Sequence, residues 1–199
     1  MTKIKFCGLT RACDIEYANA LLPDYAGFVF FPKSKRYVNP DSAADLRKHL
    51  DSRITPVGVF VNEKPENIAY LINSGVIDIA QLHGDEDEDY IKKLRTLTEK
   101  PIIQAFRISD KSDVERAESS SADMVLLDSQ KGGSGECFDW SLLKDCGRDY
   151  FLAGGLNCSN AERAVRELNP FAVDVSSGIE ENGVKSFEKM KLFLEKIRN

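Results

Sequence analysis

Tyr150-Phe151-Leu152-Ala153-Gly154-Gly155-Leu156 and Ala172-Val173-Asp174-Val175-Ser176-Ser177-Gly178 each carry a short apolar run into a glycine-bearing turn. Short apolar runs bounded by turn residues read as strands of a parallel sheet buried on both faces. Further runs rich in β-branched or aromatic residues begin near Lys3, Tyr25, Thr55, Ile77, Pro101 and Met124, so eight strands are expected. Helical patterns separate them, clearest at Pro65 to Ser74, Glu88 to Glu99, Ser159 to Leu168 and Ser186 to Ile197. Successive strand starts lie about 24 residues apart, which suits a compact strand-helix crossover. Eight such units predict an α/β fold, a minimal (β/α)8 barrel forming a single domain over residues 1–199. A doubly wound open sheet is the competing architecture; the strand count and the paired terminal turns favour the barrel.

The chain has 199 residues, 42% hydrophobic and 30% charged, a balance that supports one sizeable core. A net charge of -5 with scattered basic residues gives no general electrostatic case for nucleic acid or an anionic membrane. No apolar run approaches the ~20 residues of a membrane span, and Met1 to Phe6 lacks the apolar stretch of a signal peptide. A cytoplasmic location is expected. Cys7, Cys13, Cys137, Cys146 and Cys158 are odd in number and lack metal-ligand spacing, which argues against a disulfide framework or a zinc site. With His49 and His83 as the only histidines, a histidine-rich metal centre is set aside.

In a barrel of this kind, polar residues just past the C-terminal ends of strands face the shared mouth. Those positions hold Cys7, Arg36, Asn62, His83, Arg107, Asp128, Gly154 with Gly155, and Ser176 to Gly178. The turns at Gly154, Gly155 and at Ser176, Ser177, Gly178 follow the last two strands, where barrel enzymes bind phosphate. Glycine lets the backbone approach an anion closely, and a following helix N-terminus would add its amides; the plainer reading is a pair of tight turns. Cys7 ends its strand beside Gly8, and its thiol becomes a base only where nearby charge stabilises the thiolate; the alternative is a small buried hydrophobe. Asp128 closes the apolar run Met124 to Leu127, a place packing does not explain, and suits a proton donor; a helix N-cap is the alternative. The following Ser129 to Gly135 reads as a loop able to close over a substrate.

Arg36 lies in a basic, aromatic loop and would hold a carboxylate with two parallel hydrogen bonds, or remain a solvated charge. His83 would bind substrate or satisfy a backbone partner, with the second favoured. Asp174 would face a sugar hydroxyl or pair with a polar side chain of the neighbouring strand. The acidic run Asp85 to Asp89 reads as the solvated first turn of a helix, without chemistry, and Trp140 as a packing residue.

Six segments taken together resemble the phosphoribosylanthranilate isomerase family: Lys5-Phe6-Cys7-Gly8-Leu9-Thr10; Gly27-Phe28-Val29-Phe30 with Pro32, Ser34 and Arg36; Gln81-Leu82-His83-Gly84; Gly132-Gly133-Ser134-Gly135 with Phe138-Asp139-Trp140; Leu152 to Leu156; and Val173 to Gly178. The resemblance runs nearly end to end. It departs at Ser134, where the family often has Thr, and at Asn157-Cys158, where Thr-Pro is common.

The resemblance implies an Amadori rearrangement of N-(5-phosphoribosyl)anthranilate in tryptophan biosynthesis, without cofactor or metal. It implies Asp128 as general acid, Cys7 as general base and Arg36 as the anthranilate carboxylate site. The turns at Gly154-Gly155 and Ser176 to Gly178 would hold the phosphate, and His83 and Asp174 would line the pocket. The partner is then a small phosphosugar; a monomer is the default expectation, with a homodimer open. The related phosphoribosyl-amine isomerase of histidine biosynthesis is the nearest rival, although it typically places Asp where this chain has Cys7. A non-catalytic phosphosugar-binding barrel is the rival from another class.

Overall fold

The computed structural model describes residues 1–129, 140–144 and 146–198. The glycine-rich stretch expected to close over the site lies, after Ser129, outside the described residues, as do Phe138-Asp139 and Cys137. Eight parallel strands close into a barrel in chain order: β1 (Lys3–Cys7), β2 (Tyr25–Val29), β3 (Thr55–Phe60), β4 (Ile79–Leu82), β5 (Ile102–Ile108), β6 (Met124–Ser129), β7 (Tyr150–Leu152) and β8 (Ala172–Val175). β1 pairs with both β2 and β8, in the latter case with Lys5 opposite Asp174, so closure leaves no free edge. The expected barrel is therefore present and the open sheet is excluded.

Alternation along the strands divides the core in two. One set of side chains, including Tyr25, Val57, Ile79, Ile103, Leu126 and Phe151, fills the barrel interior. The opposite faces, such as Ile4 and Phe6 of β1 or Val173 and Val175 of β8, pack beneath the helices. The interior positions of β1 include Lys5 and Cys7, so this strand brings polar atoms into an interior that Val57, Ile79, Ile103, Leu126 and Phe151 fill largely with hydrocarbon.

Among the described residues the helices are α1 (Ala12–Leu21), α2 (Pro40–His49), α3 (Pro65–Asn73), α4 (Glu88–Arg95), α5 (Lys111–Ser119), α6 (Ala161–Leu168) and α7 (Phe187–Arg198). Pro40 and Pro65 occupy first-turn positions, where the missing N–H costs nothing. Asn39, Asp87 and Asp110 cap α2, α4 and α5 through their side-chain oxygens. α4 stops four residues short of the expected Glu99, because Thr96 turns its hydroxyl back onto the Lys93 carbonyl at 2.7 Å and the chain tightens there. α6 starts at Ala161 rather than Ser159, because Asn157 Oδ1 accepts from the Ser159 amide and hydroxyl and so holds a local turn. Between β6 and β7 the described residues hold a short 3-10 helix, Trp140–Leu143. A hairpin of β9 (Glu180–Glu181) and β10 (Val184–Lys185), unforeseen in the sequence, separates β8 from α7. No helix among the described residues is long and apolar enough to cross a membrane.

Candidate active site

At the C-terminal mouth of the strands a cavity of about 410 Å³ is bordered by Cys7, Arg36, His83, Asp128, Asp174 and both glycine-bearing turns. Barrel closure brings together groups that are far apart in sequence, since Cys7 ends β1 and Asp128 lies near the end of β6. Among the described residues, larger cavities of about 510, 590 and 780 Å³ are lined by none of Cys7, Arg36, Asp128 or Asp174.

Cys7 is buried, and its sulfur rests on β2 at Gly27, where a Cβ would come within 2.9 Å of it. Burial pushes the thiol above its usual range; Lys5 and Lys185 pull it back, while Asp174 adds to the rise. The loop just beyond Cys7 is fixed by Asp14, which is buried and accepts from the amides of Thr10 and Arg11 and from the Arg11 side chain.

Asp128 lies 3.3 Å from His83 Nε2. Nδ1 of the same ring meets Gln81 Nε2 at 2.9 Å. Gln81 Nε2 can only donate, so His83 Nδ1 accepts and Nε2 carries the hydrogen directed at Asp128. The resulting Gln81-His83-Asp128 chain runs from the barrel interior to the mouth. The backbone N–H of His83 donates to the Phe60 carbonyl, while its ring meets two side chains, Gln81 and Asp128, rather than the backbone partner expected for it.

Arg36 is neither a solvated charge nor an empty fork. Glu180 on β9 accepts from its Nε at 2.5 Å and its Nη2 at 2.9 Å, which fixes the guanidinium. The Glu180 hydrogen bonds raise the Arg36 pKa, and the terminal edge formed by Nη1 and Nη2 keeps N–H groups for a ligand. Burial raises the Glu180 carboxyl, but Arg36 and Lys185 outweigh it and hold the group below its ordinary range. Lys185, almost wholly buried, donates to Glu180 at 2.7 Å and to the Ser176 carbonyl at 2.9 Å. Gly8, at φ +79°, leaves room for the Arg36 stem; a Cβ would sit 2.5 Å from its Cδ.

Asp174 takes the second of its two expected roles. Both of its oxygens lie 3.1 Å from Nζ of Lys5 on the neighbouring strand. The glycine turns are also partly structural. Gly154 and Gly155 have φ of 89° and 67°, values that favour glycine. A Cβ on Gly178 would strike the Leu156 carbonyl oxygen, so this glycine lets the turns after β7 and β8 meet. Ser176 spends its hydroxyl on the Cys7 carbonyl at 3.0 Å, and Ser177 is exposed at the cavity wall. Neither turn runs straight into a helix N-terminus: the β9-β10 hairpin precedes α7, and the Asn157 turn precedes α6.

One expectation for the acidic run is corrected. Glu86 is buried, not solvated, and its carboxylate accepts from the Asn62 and Gly84 amides at 2.6 and 2.7 Å, tying together the loops after β3 and β4. Asn62 is a turn residue with φ 52°, and Arg107 borders a different cavity, of about 510 Å³, with Glu86 and Arg116. Sequence reasoning assigned no site role to Gln81, Glu180 or Lys185; Lys5 stands near Cys7 in sequence, and its two-residue spacing is what places both on one face of the strand.

The family model described as N-(5'phosphoribosyl)anthranilate (PRA) isomerase matches residues 4–196. The chain belongs to that family. A relative from Thermoanaerobacter sp. (strain X514), named N-(5'-phosphoribosyl)anthranilate isomerase, is 47% identical over all of this chain and 98% of its own length. The solved phosphoribosyl anthranilate isomerase of Thermotoga maritima is 38% identical and superposes with a TM-score of 0.91, covering 100% of this chain and 99% of its own. A further isomerase structure, 37% identical with a TM-score of 0.89 over 100% and 99% of the two chains, holds reduced 1-(o-carboxyphenylamino)-1-deoxyribulose 5-phosphate. Phosphoribosylanthranilate isomerases thus share this barrel along its full length.

Proposed function

We propose that this isomerase of tryptophan biosynthesis converts N-(5-phosphoribosyl)anthranilate to 1-(2-carboxyphenylamino)-1-deoxyribulose 5-phosphate by an Amadori rearrangement, with Asp128 as general acid and Cys7 as general base. The observation that carries the reading is that these two residues, from β1 and β6, border one cavity together with the turns after β7 and β8.

Asp128 protonates the furanose ring oxygen, the C1–O bond breaks, and the nitrogen lone pair forms the C1=N bond of a protonated Schiff base. Cys7 thiolate removes the proton on C2, and the released electron pair makes C1=C2 while neutralising the nitrogen. The enolamine gains a proton at C1 and loses one from the C2 hydroxyl, giving the ketone with no net change of atoms. Arg36 receives the anthranilate carboxylate on its terminal edge, and Gly154, Gly155, Ser176, Ser177 and Gly178 surround the phosphate. His83 directs Asp128, and Asp174 lines the floor. Phosphate binding remote from the reacting carbons supplies energy to hold them between acid and base. All these residues belong to one chain, so a monomer suffices for turnover, and the cytoplasmic location expected for a thiol-dependent base belongs to the same reading.

The test follows the fluorescence of the labile substrate generated in the cuvette. Wild type should consume it, while Cys7→Ser and Asp128→Asn should bind the product analogue and lose most turnover. Equal, uncatalysed decay in all three would leave a binding barrel and overturn the reading.

A further inference from the structure

The mechanism above gives no role to Lys5. Lys5 is completely buried inside the barrel, and its Nζ is held by both oxygens of Asp174. Desolvating such a pair costs free energy that an apolar pair of the same volume would avoid, and the surrounding interior is hydrocarbon from Val57, Ile103, Leu126 and Phe151. Packing therefore gives no reason for it. Lys5 and Cys7 are two residues apart on the same inward face of β1, and Asp174, which grips the ammonium, borders the same cavity as Cys7.

We propose that Lys5, anchored by Asp174, is the positioning residue that supplies the counter-charge for the Cys7 thiolate; the proposal rests on the reading of Cys7 as the base. Its two partners act on the sulfur with opposite sign. The ammonium attracts the thiolate, and the carboxylate repels it while keeping the ammonium charged and in place. Burial works against the charged form of Lys5, but Asp174 and Cys7 together outweigh it, so the ammonium persists. Other charges face Cys7: Lys185 from β10 and Arg36 from the loop after β2, with His83 and Asp128 bordering the same cavity from β4 and β6. From β2, Gly27 presents only backbone. Of the groups opposing the cost of burying the thiolate, Lys5 acts most strongly.

The test reads the ultraviolet absorbance of the thiolate against pH, with Cys7→Ser subtracted to cancel the other thiols, alongside the pH dependence of kcat/KM. Lys5→Met should move the Cys7 titration up by about 1–3 pH units, the range for loss of a close opposite charge. Asp174→Asn should move it down, and Lys5→Arg should stay near wild type. Opposite shifts from the two halves of one ion pair are not produced by lost folding, which would affect both variants alike. If Lys5→Met does not fold, the downward shift in Asp174→Asn decides. Titrations that stay put, or move together, would overturn the role of Lys5. A titration that moves while the kinetic limb stays fixed would instead overturn Cys7 as the base.

Discussion

Replacing Glu180 by Gln keeps the shape of the side chain and removes its charge, which isolates what the carboxylate does for the mouth of the barrel. In the wild-type structure that carboxylate accepts three hydrogen bonds, two from Arg36 and one from Lys185. The Lys185 side chain is 1% exposed and that of Glu180 7%, so the variant leaves a buried ammonium without its counter-ion. Breaking one side of a fully buried pair costs about 3–5 kcal/mol, and the 21% exposure of the Arg36 side chain argues for the lower end, about 3 kcal/mol. For a chain of this size that corresponds to a fall in Tm of roughly 6–12 °C. An amide can still accept one hydrogen bond from Arg36 but cannot present two equivalent oxygens to its fork, so KM should rise about tenfold with a smaller change in kcat.

Calorimetry and steady-state fluorescence kinetics measure both effects. The sign with pH adds a second check. Glu180 titrates below its ordinary range in the folded protein, so its contribution is complete above the unfolded carboxyl value and lost as pH falls through the lower folded value. The Tm gap between wild type and Glu180→Gln should therefore be wide at neutral pH and close in acid. A variant with wild-type Tm and KM at neutral pH would refute the reasoning, because the carboxylate would then neither anchor Arg36 nor balance Lys185.

Three further outcomes are expected. Because burial raises the Cys7 thiol, kcat/KM should increase with pH through the neutral range and into the alkaline, and a profile flat from pH 6 to 10 would count against a thiolate base (about four pH units spanning the ordinary thiol value). Gly178→Ala should lower both stability and affinity for inorganic phosphate, since the new methyl meets the Leu156 carbonyl and must push the turns after β7 and β8 apart; isothermal titration with phosphate and a thermal melt read the two losses. Gln81→Met removes the donor to His83 Nδ1, so nitrogen-15 NMR should show the histidine losing its single tautomer, with kcat falling about tenfold and the fold intact; an unchanged His83 spectrum would break the proposed chain.

The strand pattern was legible because the barrel strands are short, apolar on both faces and regularly spaced, and six of the eight begin where their first residue suggests. β4 begins at Ile79 rather than Ile77, since the chain is still turning at Asp78, whose amide donates to the Pro56 carbonyl. α3 and α4, which begin at Pro65 and behind Asp87, were clear, while α1 was not: its apolar residues are weakly segregated and Asp14 faces inward to bind the loop beside it. Cys7, Asp128 and the terminal turns were legible as positions, being polar or glycine residues at the ends of apolar strands.

The sequence by itself determined the order of β and α units, the residues at each strand end and, through its motifs, the family. Those features are local, carried by hydrophobic period and turn chemistry within a few residues. Tertiary structure alone decided which charges meet. Lys5 finds Asp174 across 169 positions, and Arg36 finds Glu180 across 144, because barrel closure sets β8 and the hairpin after it against β1 and the loop after β2. No sequence period records such pairings: an ion pair needs only a few ångströms of proximity, and that distance is fixed by the register between strands, not by spacing along the chain.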